Sequence, residues 1–201
     1  WLATLRNDPG LWRDVVPISF HVDYWDGLGW PDRFARREFS DRQHAYAAVW
    51  GSGSVYTPGF VLNGAEWREW GTRAWSTPSG TGGGDLRITR RSSTEWELAF
   101  RAAGIRPGQA RVALLGFDLP SEVRRGENAG RHLLHNFVAL SCGSAALKPG
   151  ADGTWRALVA VPDKPSAGAV AAWVEAAGSP VPVQAVGGWL SRTTAPVTPT
   201  R

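Results

Sequence analysis

The sequence predicts an α+β protein in two parts, an N-terminal β-α-β unit followed by a C-terminal antiparallel β-sandwich. Two apolar runs, residues 15–22 and 60–62, have the β-branched or bulky side chains of buried strands, with a helix-compatible segment between them. Beyond residue 85, short alternating stretches follow one another at regular turn signals, a pattern typical of antiparallel sheets. Residues 76–84 are rich in Ser, Thr, Pro and Gly and predict a linker.

Local signals place the elements of the first part in order. An apolar start predicts a helix over residues 1–6, which an Asn-Asp-Pro-Gly turn ends. A strand is expected at 15–23, followed by a loop at 24–31 and a short helix. Ser40 begins a Ser-x-x-Gln capping box and predicts the start of a second helix, which Gly51 ends.

The next strand of this unit has a proline at its entry. Pro58 has no backbone N–H, which favours the first residues of a strand, and its ring keeps Thr57 extended. Residues 60–62 then lead into Asn63-Gly64, a dipeptide typical of hairpin turns.

The second part reads as a sandwich of about seven strands. Its predicted strands are residues 86–89, 96–100, 111–117, 133–140, 155–161, 169–176 and 183–189. The Pro- and Thr-rich end predicts a loose tail. The predicted domain limits are therefore 1–75 for the N-terminal unit, 76–84 for the linker, 85–192 for the β domain and 193–201 for the tail.

Composition and charge exclude several functional classes. With 43% hydrophobic and 20% charged residues the chain is typical of soluble globular proteins, and no apolar run approaches the roughly 20 residues of a membrane helix. The net charge is +4, but arginines alternate with acids, so the clustered basic face of a nucleic-acid-binding protein is missing. Because the chain has no Met and starts at Trp1, we expect an upstream segment, either a cleaved signal or a membrane anchor.

Twelve tryptophans admit two interpretations. Ordinary use in the core is one. Because Trp also collects at interfaces, the other is a docking surface formed by Trp67, Trp70 and Trp75 just after the hairpin turn.

Titratable residues near the first strand offer another candidate site. His21 and Asp23 share a strand face and, with Asp26 and His44, could form a metal or acid–base cluster. The simpler interpretation is that His21 and Asp23 bond to each other and organise the following loop, so no metal is expected. The candidate loop residues are His21, Asp23, Tyr24, Trp25, Asp26 and Trp30.

Nucleophilic catalysis has little support in the sequence. No Gly-x-Ser-x-Gly elbow follows a strand. The single cysteine, Cys142, has no activating base beside it, so we interpret it as structural or incidental.

Several sequence blocks resemble a known family. They are residues 19–26, Gly29-Trp30, Arg42-Gln43, 45–47, 54–58, Asn63-Gly64, 125–128 and His135-Asn136. The blocks resemble those of bacterial exported thioredoxin-like proteins catalogued as domain of unknown function 1223. The resemblance implies a thioredoxin-like N-terminal domain whose N-terminal strand and Cys-x-x-Cys pair lie just before Trp1, in a protein that is periplasmic or otherwise exported. It also implies that the Thr57–Pro58 peptide bond is cis, and a trans bond would contradict this prediction.

The resemblance also implies a function. It is that of a thiol–disulfide oxidoreductase in which Tyr56, Thr57 and Pro58 form the docking edge for a substrate, while the catalytic cysteines lie upstream of these 201 residues. The alternative is a redox-inactive thioredoxin-like interaction module, or an accessory subunit of a larger envelope or membrane complex. In both cases the partner is another protein, and neither a cofactor nor nucleic acid is expected.

Overall fold

Two antiparallel β-sheets organise most of the chain in the computed structural model, which describes residues 1–28, 31–70, 83–123 and 129–191. The described helices are α1 (Arg37–Val49) and two 3-10 helices, Leu2–Asn7 and Asp26–Leu28. The described strands are β1 (Val61–Leu62), β2 (Ala65–Glu66), β3 (Asp85–Arg90), β4 (Glu95–Arg101), β5 (Pro107–Gly116), β6 (Leu119–Glu122), β7 (His132–His135), β8 (Val138–Ala146), β9 (Lys148–Pro149), β10 (Trp155–Ala160), β11 (Ala169–Ala176) and β12 (Pro182–Trp189).

The two larger sheets form a sandwich. One has the order β3-β4-β10-β9 and the other β12-β11-β5-β8, while β1-β2 and β6-β7 are separate hairpins. Alternate residues of each sheet point into one apolar core, where Leu98, Phe100, Val112, Val159 and Val174 have no exposed surface. Packing two alternating faces against each other removes both apolar faces from water, which drives this arrangement.

The sheet β12-β11-β5-β8 is covered on its second face as well. In β11, Val170, Ala172 and Val174 point into the sandwich core, whereas Ala171 and Trp173 point to the opposite face. That outer face packs against the N-terminal segment and α1 through Trp12, Val16, Ile18, Phe20 and Phe39. Because both faces are buried, residues 169–174 of β11 read as an unbroken apolar run instead of an alternating one.

A buried ionic cluster joins α1 to this outer face. Glu175 of β11 is 2% exposed and pairs with Arg42 of α1 and with Arg111 of β5, whose Nε lies 2.8 Å from the carboxylate. The indole N–H of Trp173 also donates to Glu175, over 3.1 Å. The Arg42 guanidinium lies 5.1 Å from the ring centroids of both Tyr46 and Trp173. These contacts pair the buried carboxylate with two guanidinium groups and place Arg42 over aromatic rings, which fixes the position of the helix on the sheet.

The predicted thioredoxin-like β-α-β unit is wrong, because the described residues taken together form a β-rich fold whose first strand begins only at Val61. Residues 15–23 are extended, but their only pairings are single bridges at Val15 and at Ser19. The second predicted strand is reduced to the two residues of β1, which pairs with β2 in a local hairpin. The alternation of residues 16, 18 and 20 reports their burial against the outer face, because an extended segment packed on a sheet shows the same period as a strand.

Helix signals in the first part are only partly confirmed. The early helix is a 3-10 helix at Leu2–Asn7, and Gly51, at φ 67°, follows the end of α1 as predicted. The Ser40 capping box is wrong, since the N-cap of α1 is Arg36 and Ser40 lies inside the helix. The hairpin turn is confirmed, because Asn63 and Gly64 both have positive φ, as a type I′ turn requires.

Most predicted strands of the second part are confirmed. Six of the seven match described strands, and residues 169–176 coincide with β11. The seventh, 133–140, is divided into β7 and β8 where Phe137 adopts φ 57°. The domain limits stay predictions, with the linker residues 76–82 and the tail lying outside the described residues. No helix in the described ranges is long and apolar enough to cross a membrane.

Candidate functional site

An exposed edge, defined by Tyr56, Thr57 and Pro58, lies between α1 and β1. All three residues are exposed, and the Thr57–Pro58 peptide bond is cis, as predicted. No backbone hydrogen bond joins the N–H or C=O of Thr57 to any other described residue. Since backbone polar groups form hydrogen bonds in nearly all folded proteins, those of Thr57 are available to water or to a bound chain.

Gln43 of α1 connects this edge to the loop after residue 23. Its side-chain amide donates to the carbonyl oxygen of Tyr56 over 2.7 Å and accepts from the Tyr24 hydroxyl over 2.9 Å. One side chain on a rigid helix thus fixes both segments. Burial raises the pKa of the Tyr24 hydroxyl, with hydrogen bonds from its neighbours acting in the opposite direction, so this group is neutral at physiological pH.

Two further bonds hold aromatic side chains at the edge. The indole N–H of Trp25 donates to the Thr57 hydroxyl over 2.9 Å, and the Tyr56 hydroxyl donates to Glu66 of β2 over 2.7 Å. The bond to Glu66 raises the pKa of Tyr56. Despite these bonds, Tyr24, Trp25 and Tyr56 are 37%, 50% and 43% exposed. The edge therefore presents three ordered aromatic side chains to solvent.

Hydrogen bonds to α1 and to the backbone of Asp32 hold the loop that carries Tyr24 and Trp25. The hydroxyl of Ser40 donates to the Asp23 carboxylate over 2.5 Å and accepts from the Asp23 backbone N–H over 3.1 Å. The Asp26 carboxylate accepts from the backbone N–H of Asp32 over 3.0 Å. Asp23 and Asp26 thus bond to Ser40 and to the Asp32 amide, and the His21–Asp23 bond of the simpler interpretation is not formed in the described residues.

His21 belongs to a different cluster from the one predicted. Its Nδ1 lies 2.5 Å from the Asp32 carboxylate, not from Asp23, and its ring meets that of His135 edge-on at 5.0 Å. Burial opposes ionisation of Asp32, but the bonds from His21 and from the Phe34 amide outweigh it and lower the pKa of Asp32. Burial, with the charge of His21, lowers the pKa of His135, whose Nε2 is buried without a partner among the described residues.

The possible metal or acid–base cluster of His21, Asp23, Asp26 and His44 is not formed in the described residues. His44 bonds to the carbonyl of Ser40 within α1, and no group of three or more metal-ligating side chains occurs in the described ranges. Burial, together with the charge of Glu38, raises the pKa of Cys142 to about 12, which leaves its thiol protonated at neutral pH.

A second aromatic group adjoins the edge. The Phe60 ring stacks on Trp70 with centroids 4.7 Å apart and also meets Trp1 and Trp67 edge-on. Trp70 is 42% exposed. Two tryptophans of the predicted docking surface, Trp67 and Trp70, thus pack against Phe60, which also contacts Trp1 at the start of the chain. The third, Trp75, and the loop residue Trp30 lie outside the described residues.

Sequence reasoning missed the residues that support the edge. Gln43 and Ser40 were interpreted as a capping box, and Asp32 and His135 had no assigned partner. Their contacts join residues 11 to 114 positions apart along the chain, so no local pattern could indicate them. The one available signal was composition, since polar side chains recur within an otherwise apolar helix face.

The family is shown by sequence. The family described as "Protein of unknown function (DUF1223)" matches residues 1–175, and the chain belongs to it. No protein in the curated set matches the chain.

Two solved structures share the fold. One is a protein of Agrobacterium tumefaciens from a structural genomics consortium, with TM-score 0.62 and 22% identity over 92% of this chain and 84% of that one. The other is HBP35 of Porphyromonas gingivalis, with TM-score 0.53 and 13% identity over 82% of this chain and 62% of that one. At these identities the likeness concerns the fold alone.

Proposed function

We propose that this member of the DUF1223 family is a protein-interaction module that binds an extended segment of a partner protein at the Tyr56–Thr57–Pro58 edge. The observation that carries the proposal is the pairing of unbonded Thr57 peptide groups with exposed, hydrogen-bonded aromatic side chains on both sides. An extended peptide presents the backbone donors and acceptors that such an edge lacks.

The aromatic side chains supply the expected binding energy. Tyr and Trp dominate protein interfaces because they bury a large apolar surface and retain a polar group that can be satisfied. Here the polar groups of Tyr24, Trp25 and Tyr56 are already bonded within the chain. Their orientations are therefore fixed before binding, which lowers the entropy lost when the partner docks.

A peptide selection tests this proposal directly. A randomised 12-residue library displayed on phage would be selected against the full chain, and the enriched peptides would be titrated into wild-type protein. We expect Trp25→Ala to weaken binding by at least about tenfold, the size of an interface hot spot. We also expect the Thr57 amide resonance to shift on binding.

Leu158→Ser is the matched control. Leu158 is 54% exposed on β10, whereas Phe39 of α1 packs on the other sheet, so the substitution of Leu158 removes an exposed apolar group from a different surface. Peptides that bind Trp25→Ala as tightly as the wild type, or that lose as much affinity to Leu158→Ser, would contradict the proposal. A selection that enriches no peptide would contradict it too.

The thiol–disulfide oxidoreductase stays a prediction that depends on residues outside this sequence. The 201 residues contain one cysteine, and its raised pKa opposes the thiolate that disulfide exchange needs. Intact-mass measurement of the native protein after reduction and alkylation tests the prediction. Two or more added alkyl groups would support a redox pair, whereas labelling of Cys142 alone would leave only the interaction module.

A further inference from the structure

A basic surface pocket lies beside residues 33–36, the segment that leads into α1. Its volume is about 390 Å³, and it is bounded by residues 33–36, by the start of β6, by β8 and by the segment before β11. Three cations line it: Arg33, Arg36 and Lys164. None of the described acidic residues lines the pocket, and the sequence neighbours Asp32 and Asp163 pair with His21 and Arg90 instead.

The two guanidinium groups are held in place without being neutralised. Arg33 donates to the carbonyl of Pro120 and Arg36 to the carbonyl of Leu140, both over 2.7 Å. A carbonyl oxygen fixes one N–H but carries no net charge, so the remaining N–H groups and the positive charge stay available. Arg33 also lies 4.6 Å over the ring of Phe34, which restricts its motion further.

Lys164 differs from the arginines because its ammonium group has no hydrogen-bond or ion-pair partner in the described part of the chain. The positive end of α1 adds to the same field, since its N-cap is Arg36 and no side chain caps it. Concentrating positive charge without a counter-charge raises the free energy of the empty pocket, and an anion would lower it.

The rest of the lining is apolar apart from one hydroxyl. Phe34, Leu119 and Leu140 form the apolar part, and Ser166 adds a donor. We propose that the pocket binds a small organic anion whose phosphate or carboxylate group contacts Arg33, Arg36 and Lys164 while its apolar body lies on Phe34. Arginine pairs with both head groups in a bidentate manner, so the chemistry of the pocket is shared by the two.

Calorimetric titration of the full chain tests this pocket with four probes: phenyl phosphate, benzoate, inorganic phosphate and benzyl alcohol. We expect phenyl phosphate or benzoate to bind with a Kd below about 1 mM and the uncharged alcohol not to bind. The tighter of the two aromatic anions identifies the head group. Inorganic phosphate should bind more weakly than phenyl phosphate, because it has no apolar body.

Two lysine variants separate specific binding from general attraction. Lys164→Gln should weaken binding by about tenfold, because it removes one charge-assisted hydrogen bond. Lys148→Gln removes the only other lysine, exposed on β9 of the opposite sheet, and should leave binding unchanged. The proposal is overturned if no anion binds, if benzyl alcohol binds as well as phenyl phosphate, or if the two variants weaken binding equally.

Discussion

The two faces of the sheet β12-β11-β5-β8 are stabilised in different ways. The inner face meets the opposite sheet through a large cluster of apolar side chains, among them Leu98, Phe100 and Val159. The outer face meets the N-terminal segment and α1 through a smaller apolar cluster and through the Glu175 ionic cluster. Burial of apolar surface stabilises the interface at the inner face, whereas the interface at the outer face also depends on a few polar bonds with fixed geometry.

This difference has a consequence for the candidate site. Buried ion pairs add little net stability when complete, but removing one partner leaves an uncompensated charge. The Tyr56–Thr57–Pro58 edge is held by Gln43 of α1, and α1 is held on the sheet by Arg42 and Glu175. The edge therefore depends on the polar contacts of the outer face and only indirectly on the sandwich core.

The largest loss of stability is expected from a substitution on the outer face. Glu175→Ala should lower the free energy of unfolding by about 3–5 kcal/mol, because Arg42 and Arg111 lose their buried counter-charge. Urea denaturation measures the loss, and hydrogen exchange should show the amides of α1 exchanging faster relative to those of β4. Glu97→Ala is the control: Glu97 pairs with Arg91 at the surface, and its loss should cost at most about 1 kcal/mol. Equal losses in the two variants would contradict the difference between the faces.

A substitution in the sandwich core, against which the inner face packs, should lower the free energy of unfolding through lost packing. Leu98 is fully buried, and Leu98→Ala should lower the free energy of unfolding by about 2–5 kcal/mol through lost apolar burial and the cavity that forms. Leu158 is 54% exposed on the adjacent strand β10, and Leu158→Ala should change stability by about 0.5 kcal/mol or less. Denaturation midpoints compare the two, and a similar effect in both would mean that the sandwich core is misplaced.

A smaller effect is expected where the aromatic loop meets α1. Ser40 is 5% exposed and forms two bonds with Asp23, so Ser40→Ala should cost about 1–3 kcal/mol by leaving a partly buried carboxylate oxygen and a backbone N–H without partners. Ser52→Ala, in an exposed turn with only local bonds to Ser54, should be nearly neutral. Thermal unfolding of both variants checks this prediction. A neutral Ser40→Ala would show that the loop does not need its anchor.

The smallest effect is a dependence on pH. Burial lowers the pKa of His135 in the folded state, whereas in the unfolded chain the pKa of this side chain is about 6.5. The unfolded state thus binds more protons below this value, so stability falls as the pH drops through about 6.5 towards the folded-state pKa. The groups that face His135 are His21, Asp32 and Arg33, of which Asp32 opposes the shift.

Denaturation series at several pH values test the histidine. The loss of stability on acidification should be smaller in His135→Asn than in the wild type. His132→Asn is the control, since His132 lies on the same strand with 82% of its side chain exposed, and its profile should follow the wild type. A His135→Asn profile identical to that of the wild type would contradict the assignment.

Strand positions in the second part could be predicted from sequence because they depend on local signals: alternation in strands such as β4 and β10, and a short apolar run in β11. β11 was located to the residue, and the Asn63–Gly64 turn followed from the backbone conformation that its residues favour. The same alternation misled at residues 15–23, since Val16, Ile18 and Phe20 alternate without forming a ladder. Periodicity reports which side of an extended segment is buried, but not what lies against that side.

By itself, the sequence determined the exposed Thr-Pro edge, the aromatic residues near it and the antiparallel strands beyond residue 85, because these depend on residue type and short-range periodicity. Only the tertiary structure decided that Gln43 joins Tyr24 to Tyr56, that His21 pairs with Asp32, and that three cations share one pocket. The first two sets of contacts join segments within the N-terminal half, and the pocket forms where residues 33–36 of that half pack against β6, β8 and the segment before β11. That packing is set by summed burial and by the Glu175 cluster, neither of which is encoded in any local pattern.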